Sequence, residues 1–456
     1  MSAITYADVN RDILKTMVRP KPAYYLLISG SLFALLIGGV SLAIQTDVGL
    51  GLSGISHPIG WGFYITNFVF WIGIGHAGTL ISAVLFLTRA PWRNPIYRAA
   101  EAMTVFAVMT AGLFPLIHVG RTWFAYWMIP YPNQRMLWTN FKSPLEWDVF
   151  AVSTYLTISV LFFIIGLIPD LAAMRDSATG TRKKIYTLLS LGWTNSYQQW
   201  LHYMRGYLLL AAFSTPLVFS VHSIVSFDFA MSFLPGWHTT IFPPYFVAGA
   251  IFSGMAMVLT IVIPLRKIFG LEKFITLHVL QSSARLILFT SFIVGYAYMT
   301  ELFMAYYSGN HFERSLFYFR LFGEFSDGAP FRDAHLFSWP SLAFWTMIFC
   351  NMISPLPLWR WKIRNNIYAL FIISIFINIG MWFERYNIIV SSLQRDFDPY
   401  VWGSYWPTII EAGITLGSFG FFFTLFLLFI RAMPSMAIAE LKESIPAPMK
   451  HKKAHS

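Results

Sequence analysis

Ten long apolar runs with very few charges limit what this chain can fold into more than any other feature. Each run holds about 20 residues or more, the length that a helix needs to cross a bilayer. A helix satisfies its own backbone polar groups, so an apolar run of this length is expected to be helical in lipid. We predict an all-α integral membrane protein with ten transmembrane helices, near residues 24–46, 61–88, 98–121, 148–170, 205–226, 243–265, 273–305, 337–357, 366–390 and 406–431.

Composition supports the membrane class and excludes others. Only 12% of the 456 residues are charged, whereas soluble domains average about 25%. The single cysteine, Cys350, excludes an internal disulfide and a cysteine-ligated iron–sulfur or zinc site within the chain. The net charge of +11 is distributed according to membrane topology, so no nucleic-acid partner is predicted.

The basic residues are divided unevenly between the two sets of loops. The two termini and the segments near 88–98, 171–205, 264–275 and 357–366 hold 23 of the 32 lysines and arginines, and the opposite loops hold seven. The positive-inside rule therefore places both termini in the cytoplasm, which predicts a multi-pass protein of the bacterial inner membrane. No cleavable signal peptide is expected, because basic residues precede the first apolar run and no early cleavage site follows.

His118 ends the third apolar run and Asp148 begins the fourth, so both fall at the outer ends of neighbouring helices. A titratable residue in the membrane is costly unless it faces a partner or a cavity, which marks it as a functional-site candidate. An imidazole and a carboxylate facing each other could accept two protons from a hydroxylated ring. The competing interpretations are a packed core histidine at 118 and a capping carboxylate at 148.

A weak internal repeat divides eight of the ten runs into two groups of four. Each group begins with a glycine-rich span, followed by a long span with a titratable residue near its outer end, His118 or Glu301. We predict two parallel four-helix bundles side by side, flanked by the first and tenth spans. Pro340 stands roughly where the first group has Asp148, so one asymmetric site is expected. The predicted segments are 1–23 and 432–456 (cytoplasmic), 24–46 and 406–431 (flanking helices), and 61–226 and 243–390 (bundles).

A second tier of residues is assigned to the same outer site. These residues are Arg121, Tyr155, His222 and Asp228. His222 and Asp228 end the fifth run six residues apart, so they would not share a helical face. At most one of the two is expected to face the pocket.

Six residues are candidates for a proton path, namely His76, Glu101, Asp170, Glu301, Glu384 and Arg385. A buried structural hydrogen bond explains His76 equally well. For Glu101 and Asp170, at the cytoplasmic ends of their spans, solvated end charges are the favoured interpretation. Glu384 and Arg385 are adjacent and are expected to pair across helices, in a structural ion pair or a proton path, and not with each other.

Two outer loops differ in character from the rest of the chain. The loop from Thr122 to Trp147 is rich in Trp, Tyr, Pro and Asn, and the loop near 307–337 is long and charge-balanced. An interfacial aromatic belt and a docking surface for an extrinsic subunit both explain them. The polar tail from Lys442 to Ser456 is predicted to be disordered.

Several motifs resemble one family of membrane subunits. The stretch Gly60 to Ser82, GWGFYITNFVFWIGIGHAGTLIS, resembles the signature of the NrfD/polysulfide-reductase membrane subunits. Within that family the closest resemblance is to the quinol-binding ActC subunits of bacterial alternative complex III, and it is strongest over residues 58–171. The motifs that carry it lie at 98–103, 114–121, 131–134, 143–150 and 166–171.

The resemblance implies a quinol-oxidising membrane subunit of a respiratory or photosynthetic quinol:electron-acceptor oxidoreductase, inactive alone. The family's quinol-site His and Asp fall on His118 and Asp148. Menaquinol is favoured over ubiquinol, and no haem or iron–sulfur cluster is expected on this chain. The implied partners are an extrinsic iron–sulfur subunit on the periplasmic side, cytochrome c subunits, a paralogous membrane subunit and lipids. Proton translocation is a further implied role.

Other classes stay open. An ActF-type proton-conducting subunit and an NrfD-type anchor of a molybdopterin oxidoreductase share the family signature. A di-haem cytochrome b would need facing histidine pairs, and no pair is placed at two matching depths. A secondary transporter is disfavoured because the repeat is parallel and no interrupted helices occur at midplane.

Overall fold

The computed structural model describes residues 5–18, 20–129, 144–323 and 338–443. Helices dominate these residues, and no β-strand occurs among them. Ten helices in this part of the chain are long and apolar enough to cross a membrane, which confirms the predicted all-α fold with ten spans. In chain order, spans 1 to 10 are Pro22–Val48, Phe63–Leu87, Tyr97–His118, Pro144–Ser177, Tyr197–Ala230, Phe242–Phe269, Leu277–Tyr307, Trp339–Trp359, Ile367–Ser391 and Ile409–Ala432.

Shorter helices connect or follow the spans. They are Tyr6–Val18, Leu50–Leu52, Pro91–Arg93, Thr122–Met128, Gly180–Leu189, His311–Phe322, Trp361–Arg364, Pro399–Val401 and Ile438–Glu443, the last of which we call the C-terminal helix. Span 4 was predicted too short at both ends, since it runs from Pro144 to Ser177. Asp148 therefore lies one turn inside its helix. Spans 5 and 10 begin at capping boxes in which Ser196 pairs with Gln199 and Thr408 with Glu411.

Spans 2 and 6 form the centre of the molecule. Their apolar windows are 89% and 83% buried within the chain, against 11% for span 1. Small residues allow the two to pack closely, since a Cβ on Gly254 would overlap the Ala77 Cβ. Spans 3 and 5 pack against span 2, and span 4 packs against spans 3 and 5. Likewise, spans 7 and 9 pack against span 6, and span 8 packs against spans 7 and 9, consistent with the predicted pair of four-helix groups. The exact bounds of the two groups stay a prediction.

Spans 1 and 10 pack against each other beside this centre. Their backbones meet at Gly38 and Gly417, where a Cβ on either glycine would overlap the Cα of the other. Span 10 also contacts spans 2 and 3, whereas most of span 1 faces outward. This position is consistent with the flanking helices predicted from the sequence.

Contacts between connecting segments distinguish two faces of the molecule. At one face, which we call the basic face, Arg93 pairs with Glu440 and the Tyr186 hydroxyl bonds to the Ala432 carbonyl. At the opposite face, which we call the site face, the Gly54 amide donates to Glu411. His118 and Asp148 both belong to the site face, as predicted, because span 3 ends there and span 4 begins there.

Candidate functional site

Two carboxyl groups meet at the site face. The side chains of Asp148 in span 4 and Asp228 in span 5 face each other within hydrogen-bonding range. The neighbouring rings of Trp147 and Phe227 also meet, edge to face, with centroids 6.5 Å apart. An ionised carboxylate is only an acceptor, so a hydrogen bond between two carboxyl groups requires that they share a proton. We call Asp148 and Asp228 the outer carboxyl pair.

The outer carboxyl pair keeps unused hydrogen-bonding capacity. The Oδ1 atoms of both residues are buried and have no partner among the described residues. The interpretation of Asp148 as a helix cap is wrong, because Asp148 is the fifth residue of its helix and faces span 5. Asp228 lies inside span 5, which continues to Ala230, and does not end it as predicted.

His118 is the last residue of span 3 and is half-buried. Its Nδ1 atom is buried and has no hydrogen-bond partner in the described part of the chain. No hydrogen bond or ion pair joins His118 to Asp148 among these residues, so a direct contact between them stays a prediction. Residues 130–143, which connect the two spans and include Tyr131 to Gln134 of the family motif, lie outside the described residues.

Gln45 and Tyr64 support the helix end that carries His118, and the sequence analysis missed both. The Gln45 side chain is fully buried although span 1 is mostly exposed. It accepts a hydrogen bond from the Tyr64 hydroxyl and donates to the Ile117 carbonyl at 3.4 Å. The sequence did contain a signal for Gln45, because a glutamine within an apolar run needs hydrogen-bond partners inside the protein.

The other second-tier residues do not join the outer carboxyl pair. Arg121 is exposed, with its guanidinium 6.0 Å from the centre of the Trp123 ring. Tyr155 lies seven residues beyond Asp148, about 10 Å deeper along the helix at 1.5 Å per residue. His222 lies a similar distance below Asp228. Of the pair His222 and Asp228, only Asp228 faces the outer site, as the spacing argument predicted.

A second polar group occupies the middle of the first bundle, and we call it the midplane cluster. The rings of His76 and His222 meet edge to face, with centroids 4.5 Å apart, and Tyr155 stacks on His76 at 5.0 Å. The Tyr155 hydroxyl bonds to Thr79 at 2.8 Å and donates to the Gly75 carbonyl. His76 donates from Nδ1 to the Ile72 carbonyl at 2.6 Å, which is the structural hydrogen bond considered for it.

The midplane cluster contains a histidine pair that the sequence analysis did not identify. His76 and His222 lie together on spans 2 and 5, which gives one pair at one depth and not the pairs at two depths that a di-haem protein needs. Because the two rings touch edge to face, a haem does not fit between them. Both ring nitrogens of His222 are buried without a hydrogen-bond partner among the described residues. An imidazole with free nitrogens can accept or donate a proton.

The charges of span 9 pair with each other. Arg385 Nη1 lies 2.9 Å from Glu384 Oε1, so the expectation that these neighbours pair only across helices was wrong. Glu384 also accepts a hydrogen bond from the Tyr298 hydroxyl, which in turn accepts one from Asn351 at 2.7 Å. The Arg385 guanidinium lies over the Phe246 ring at 4.3 Å. Although the two residues are adjacent, their side chains are long enough to bend toward each other when both are buried by packing.

Glu301 has a partner that the sequence analysis did not identify. Arg320, on the helix His311–Phe322, bonds to Glu301 at 2.7 Å and also donates to the Asn387 carbonyl and the Ser392 hydroxyl. Both charges are largely buried. A cavity of about 20 Å³ beside them holds space for a water molecule. The second bundle thus carries an ion pair at the depth where the first carries His118.

A third polar group lies near the basic face and corrects another expectation. Glu101 and Asp170 are not solvated end charges, since they are 3% and 1% exposed. Arg98 bonds to both, at 2.8 and 3.1 Å, and Tyr207 donates to Glu101 at 3.0 Å. Asp170 also accepts the backbone amides of Ile438 and Ala439, which start the C-terminal helix. Arg98, Glu101, Asp170 and Tyr207 form what we call the basic-face cluster.

Glu411 is a fully buried carboxylate that the sequence analysis did not consider. It accepts hydrogen bonds from the Gly54 and Thr408 amides and from the Tyr405 hydroxyl. Burial, reinforced by the nearby Glu411 carboxylate, raises the pKa of Tyr405, so this hydroxyl stays a donor. The Thr-x-x-Glu spacing of a capping box was the signal that could have found it.

The aromatic outer loops are described only in part. Trp123 and Tyr126 are 58% and 50% exposed at the site face. Residues 130–143 and 324–337, which contain the rest of the predicted docking surface, lie outside the described residues. So do residues 444–456 of the tail that was predicted to be disordered.

Together, the fold and these groups define a multi-pass membrane protein with buried acid and imidazole groups near one face. The family model for the polysulphide reductase NrfD matches residues 51–395. The chain therefore belongs to the NrfD family, which confirms the family predicted from its motifs.

Two curated relatives are similar to this chain. The first, a putative dimethyl sulfoxide reductase membrane subunit of Halobacterium salinarum, is 26% identical over 236 residues, which cover 50% of this chain and 48% of the relative. The second, a selenate reductase subunit of Mesobacillus selenatarsenatis, is 23% identical over 313 residues, which cover 67% of this chain and 70% of the relative. The matched region thus spans about half the length of the first relative and more of the second.

Proposed function

We propose that this chain is the quinone-reacting membrane subunit of a multisubunit oxidoreductase and that it oxidises quinol at the site face. The observation that carries the proposal is the outer carboxyl pair, Asp148 and Asp228, whose buried oxygens keep free hydrogen-bonding capacity. His118 ends the adjoining span with a buried Nδ1 that has no partner among the described residues. Unsatisfied buried polar atoms of this kind are rare in folded proteins and call for an explanation such as a ligand or catalysis.

The proposed chemistry conserves atoms and charge. Oxidation of one quinol to a quinone releases two electrons and two protons. The imidazole of His118 accepts one proton, and the outer carboxyl pair, which holds one shared proton, accepts the other. Both groups then release their protons to the site face. The electrons pass to a redox centre on an extrinsic partner, as the family resemblance implies.

Two kinds of complex fit this role, and the named relatives favour one of them. The relatives are a membrane subunit of a putative dimethyl sulfoxide reductase and a subunit of a selenate reductase, which favours an anchor for an extrinsic molybdopterin oxidoreductase. The motifs at 98–103, 114–121 and 143–150 favour an ActC-type subunit of alternative complex III with cytochrome c partners. Quinol oxidation and an extrinsic iron–sulfur partner are common to both.

The orientation and the quinone belong to the same proposal. The excess of basic residues supports a cytoplasmic basic face and a periplasmic site face. Protons from quinol would then leave on the periplasmic side and add to the proton gradient. Menaquinol stays the favoured substrate because of the family resemblance.

Purification of the intact complex through a tag on this chain tests the proposal. Mass spectrometry should identify an iron–sulfur subunit, together with either a molybdopterin subunit or cytochrome c subunits. The complex should oxidise a naphthoquinol analogue faster than a benzoquinol analogue with an artificial electron acceptor. Failure to oxidise either quinol, or purification without any redox-active partner, would contradict it.

Proton conduction is a second role that specific contacts favour. The midplane cluster and the basic-face cluster lie below the outer carboxyl pair in the first bundle. Span 3 carries His118 at the site face and Glu101 near the basic face, and span 4 carries Asp148 and Asp170 in the same way. We propose that His76, His222, Glu101 and Asp170 belong to one path. Arg385 approaches that path through Phe246, whose ring contacts both the Arg385 guanidinium and His222. Glu301 pairs with Arg320 apart from it.

A further inference from the structure

A groove opens toward the lipid between the flanking spans and the second bundle. Its volume is about 470 Å³. Residues of spans 1, 6, 9 and 10 line it, including Leu27, Gly30, Leu265, Phe371 and Phe423. It lies in the half of the molecule near the basic face, because it extends from Tyr24 at the start of span 1.

The lining of this groove is suited to a hydrocarbon chain. Tyr24, Ser31 and Thr260 carry its only hydroxyl groups among the lining residues. Each is already bonded within the protein: Tyr24 to the Leu427 carbonyl, Ser31 to the Ile28 carbonyl and Thr260 to the Ala256 carbonyl. A polar ring would therefore find no free donor here, whereas an acyl chain needs none.

The groove follows span 1 from Tyr24 to Ala34, about 15 Å at 1.5 Å per residue, so an acyl chain can lie along it.

Cations surround the end of the groove at the basic face. Lys21 Nζ lies 3.5 Å from the Lys267 carbonyl, so the Lys21 ammonium reaches the backbone position from which the Lys267 side chain starts. Lys267 Nζ lies 5.6 Å from the centre of the Tyr368 ring, and Arg431 acts electrostatically on Tyr24. Neither Lys21 nor Lys267 forms an ion pair within the described ranges. Basic pockets between spans at this depth are suited to acidic lipid headgroups.

We propose that the groove binds one anionic phospholipid, with an acyl chain along Gly30 and Phe423 and the phosphate between Lys21, Lys267 and Arg431. The headgroup charge matches the rim, and the acyl chain matches the apolar lining. The lipid would fill the space between spans 1 and 6, which both line the groove.

The chain offers matched variants to test this site. Gly30 lines the groove, and a Cβ there would meet no atom within 4 Å, so Gly30→Phe fills the groove without a clash. Gly206 on span 5 is equally uncrowded and lies at a similar depth outside the groove, so Gly206→Phe is the control. Lys21→Gln with Lys267→Gln removes rim charge, and Arg360→Gln with Lys362→Gln removes the same charge elsewhere on the basic face.

The experiment is native mass spectrometry of the complex released from nanodiscs of equal phosphatidylglycerol and phosphatidylcholine. The wild type should retain one phosphatidylglycerol that Gly30→Phe loses at least fivefold. The rim double variant should lower the preference for phosphatidylglycerol about fivefold per lysine. Both control variants should behave as the wild type.

Four results would overturn the proposal. The first is that Gly30→Phe retains as much phosphatidylglycerol as the wild type. The second is that the wild type retains phosphatidylglycerol and phosphatidylcholine equally. The third is an isoprenoid quinone that the wild type retains and Gly30→Phe loses, which would make the groove a quinone-tail site. The fourth is cross-linking of a residue at position 30 to another subunit, which would make it a protein interface.

Discussion

The two bundles treat buried acids in opposite ways. In the first, Asp148 meets a second carboxyl group, Asp228, and His118 keeps a buried nitrogen without a partner among the described residues. In the second, Glu301 is paired with Arg320 and Glu384 with Arg385. In a buried ion pair the two charges compensate each other, whereas two facing carboxyl groups depend on a shared proton. The contrast lies in charge and not in hydrogen bonding, since Glu384 Oε1 and Arg385 Nη1 also have no hydrogen-bond partner among the described residues. The difference suggests that the first bundle performs proton chemistry and that these charges of the second stabilise its packing.

The largest effect is expected from removing the two primary groups of the first bundle. His118→Ala and Asp148→Asn should each lower quinol oxidation by the assembled complex on the order of 100-fold to 10,000-fold, because each removes a proton acceptor. Steady-state quinol oxidation measures this, and the amounts of all subunits in the purified complex serve as the assembly check. His311→Ala and Asp47→Asn, exposed positions at the same face, should keep wild-type rates. Near-normal rates in both site variants would refute the site.

A large effect of another kind is expected in the second bundle. Arg385→Met leaves the Glu384 carboxylate buried without its cation, so the free energy of unfolding should fall by about 3–5 kcal/mol. Thermal unfolding of the purified complex in detergent reports this loss. Glu384→Gln combined with Arg385→Met should cost less than Arg385→Met alone, because no charge remains. The comparison between bundles fails if Arg385→Met abolishes quinol oxidation at unchanged stability.

Asp228→Asn should have a smaller effect than Asp148→Asn. The amide still bonds to Asp148 but removes the shared proton from the pair, so quinol oxidation should fall on the order of 10-fold to 100-fold. The pH profile of kcat/KM measures whether the pair acts as one unit. If it does, Asp148→Asn and Asp228→Asn should each remove the same ionisation from the profile. Two different profiles would show that the carboxyl groups act independently.

The smallest effect is expected from the support beneath His118. Gln45→Leu removes the hydrogen bonds to Tyr64 and the Ile117 carbonyl, which should lower kcat/KM about fivefold, equivalent to about 1 kcal/mol. The control is Thr46→Val at the next residue of span 1, because among the described residues the Thr46 hydroxyl bonds within its own helix, to the Leu42 carbonyl. Equal behaviour of the two variants would remove Gln45 from the site.

Much of the architecture could be predicted from the sequence. The ten spans and the placement of His118 and Asp148 at one face follow from hydropathy and charge, which are properties of successive residues along the chain. The short motifs of residues 60–82 were sufficient to identify the family. Helix ends were less predictable, since span 4 extends beyond its apolar run where neighbouring segments bury Asp170.

The partners of the polar residues could not be predicted in the same way. The sequence placed Glu101 and Asp170 in solvent, but Arg98 and the C-terminal helix enclose both. It did not pair His76 with His222, whose rings spans 2 and 5 bring together. Each error concerns which residues on different helices meet, because contacts between distant segments are not encoded in local periodicity.

The sequence by itself determined the membrane class, the number of spans, the two faces and the family. Only the tertiary structure decided that Asp148 meets Asp228, that Glu384 meets Arg385 and that Glu301 meets Arg320. The physical reason is that hydropathy fixes the depth of a residue in the bilayer but not the rotation of its helix about its axis. That rotation is set by side-chain packing between spans, and it determines which polar groups face each other.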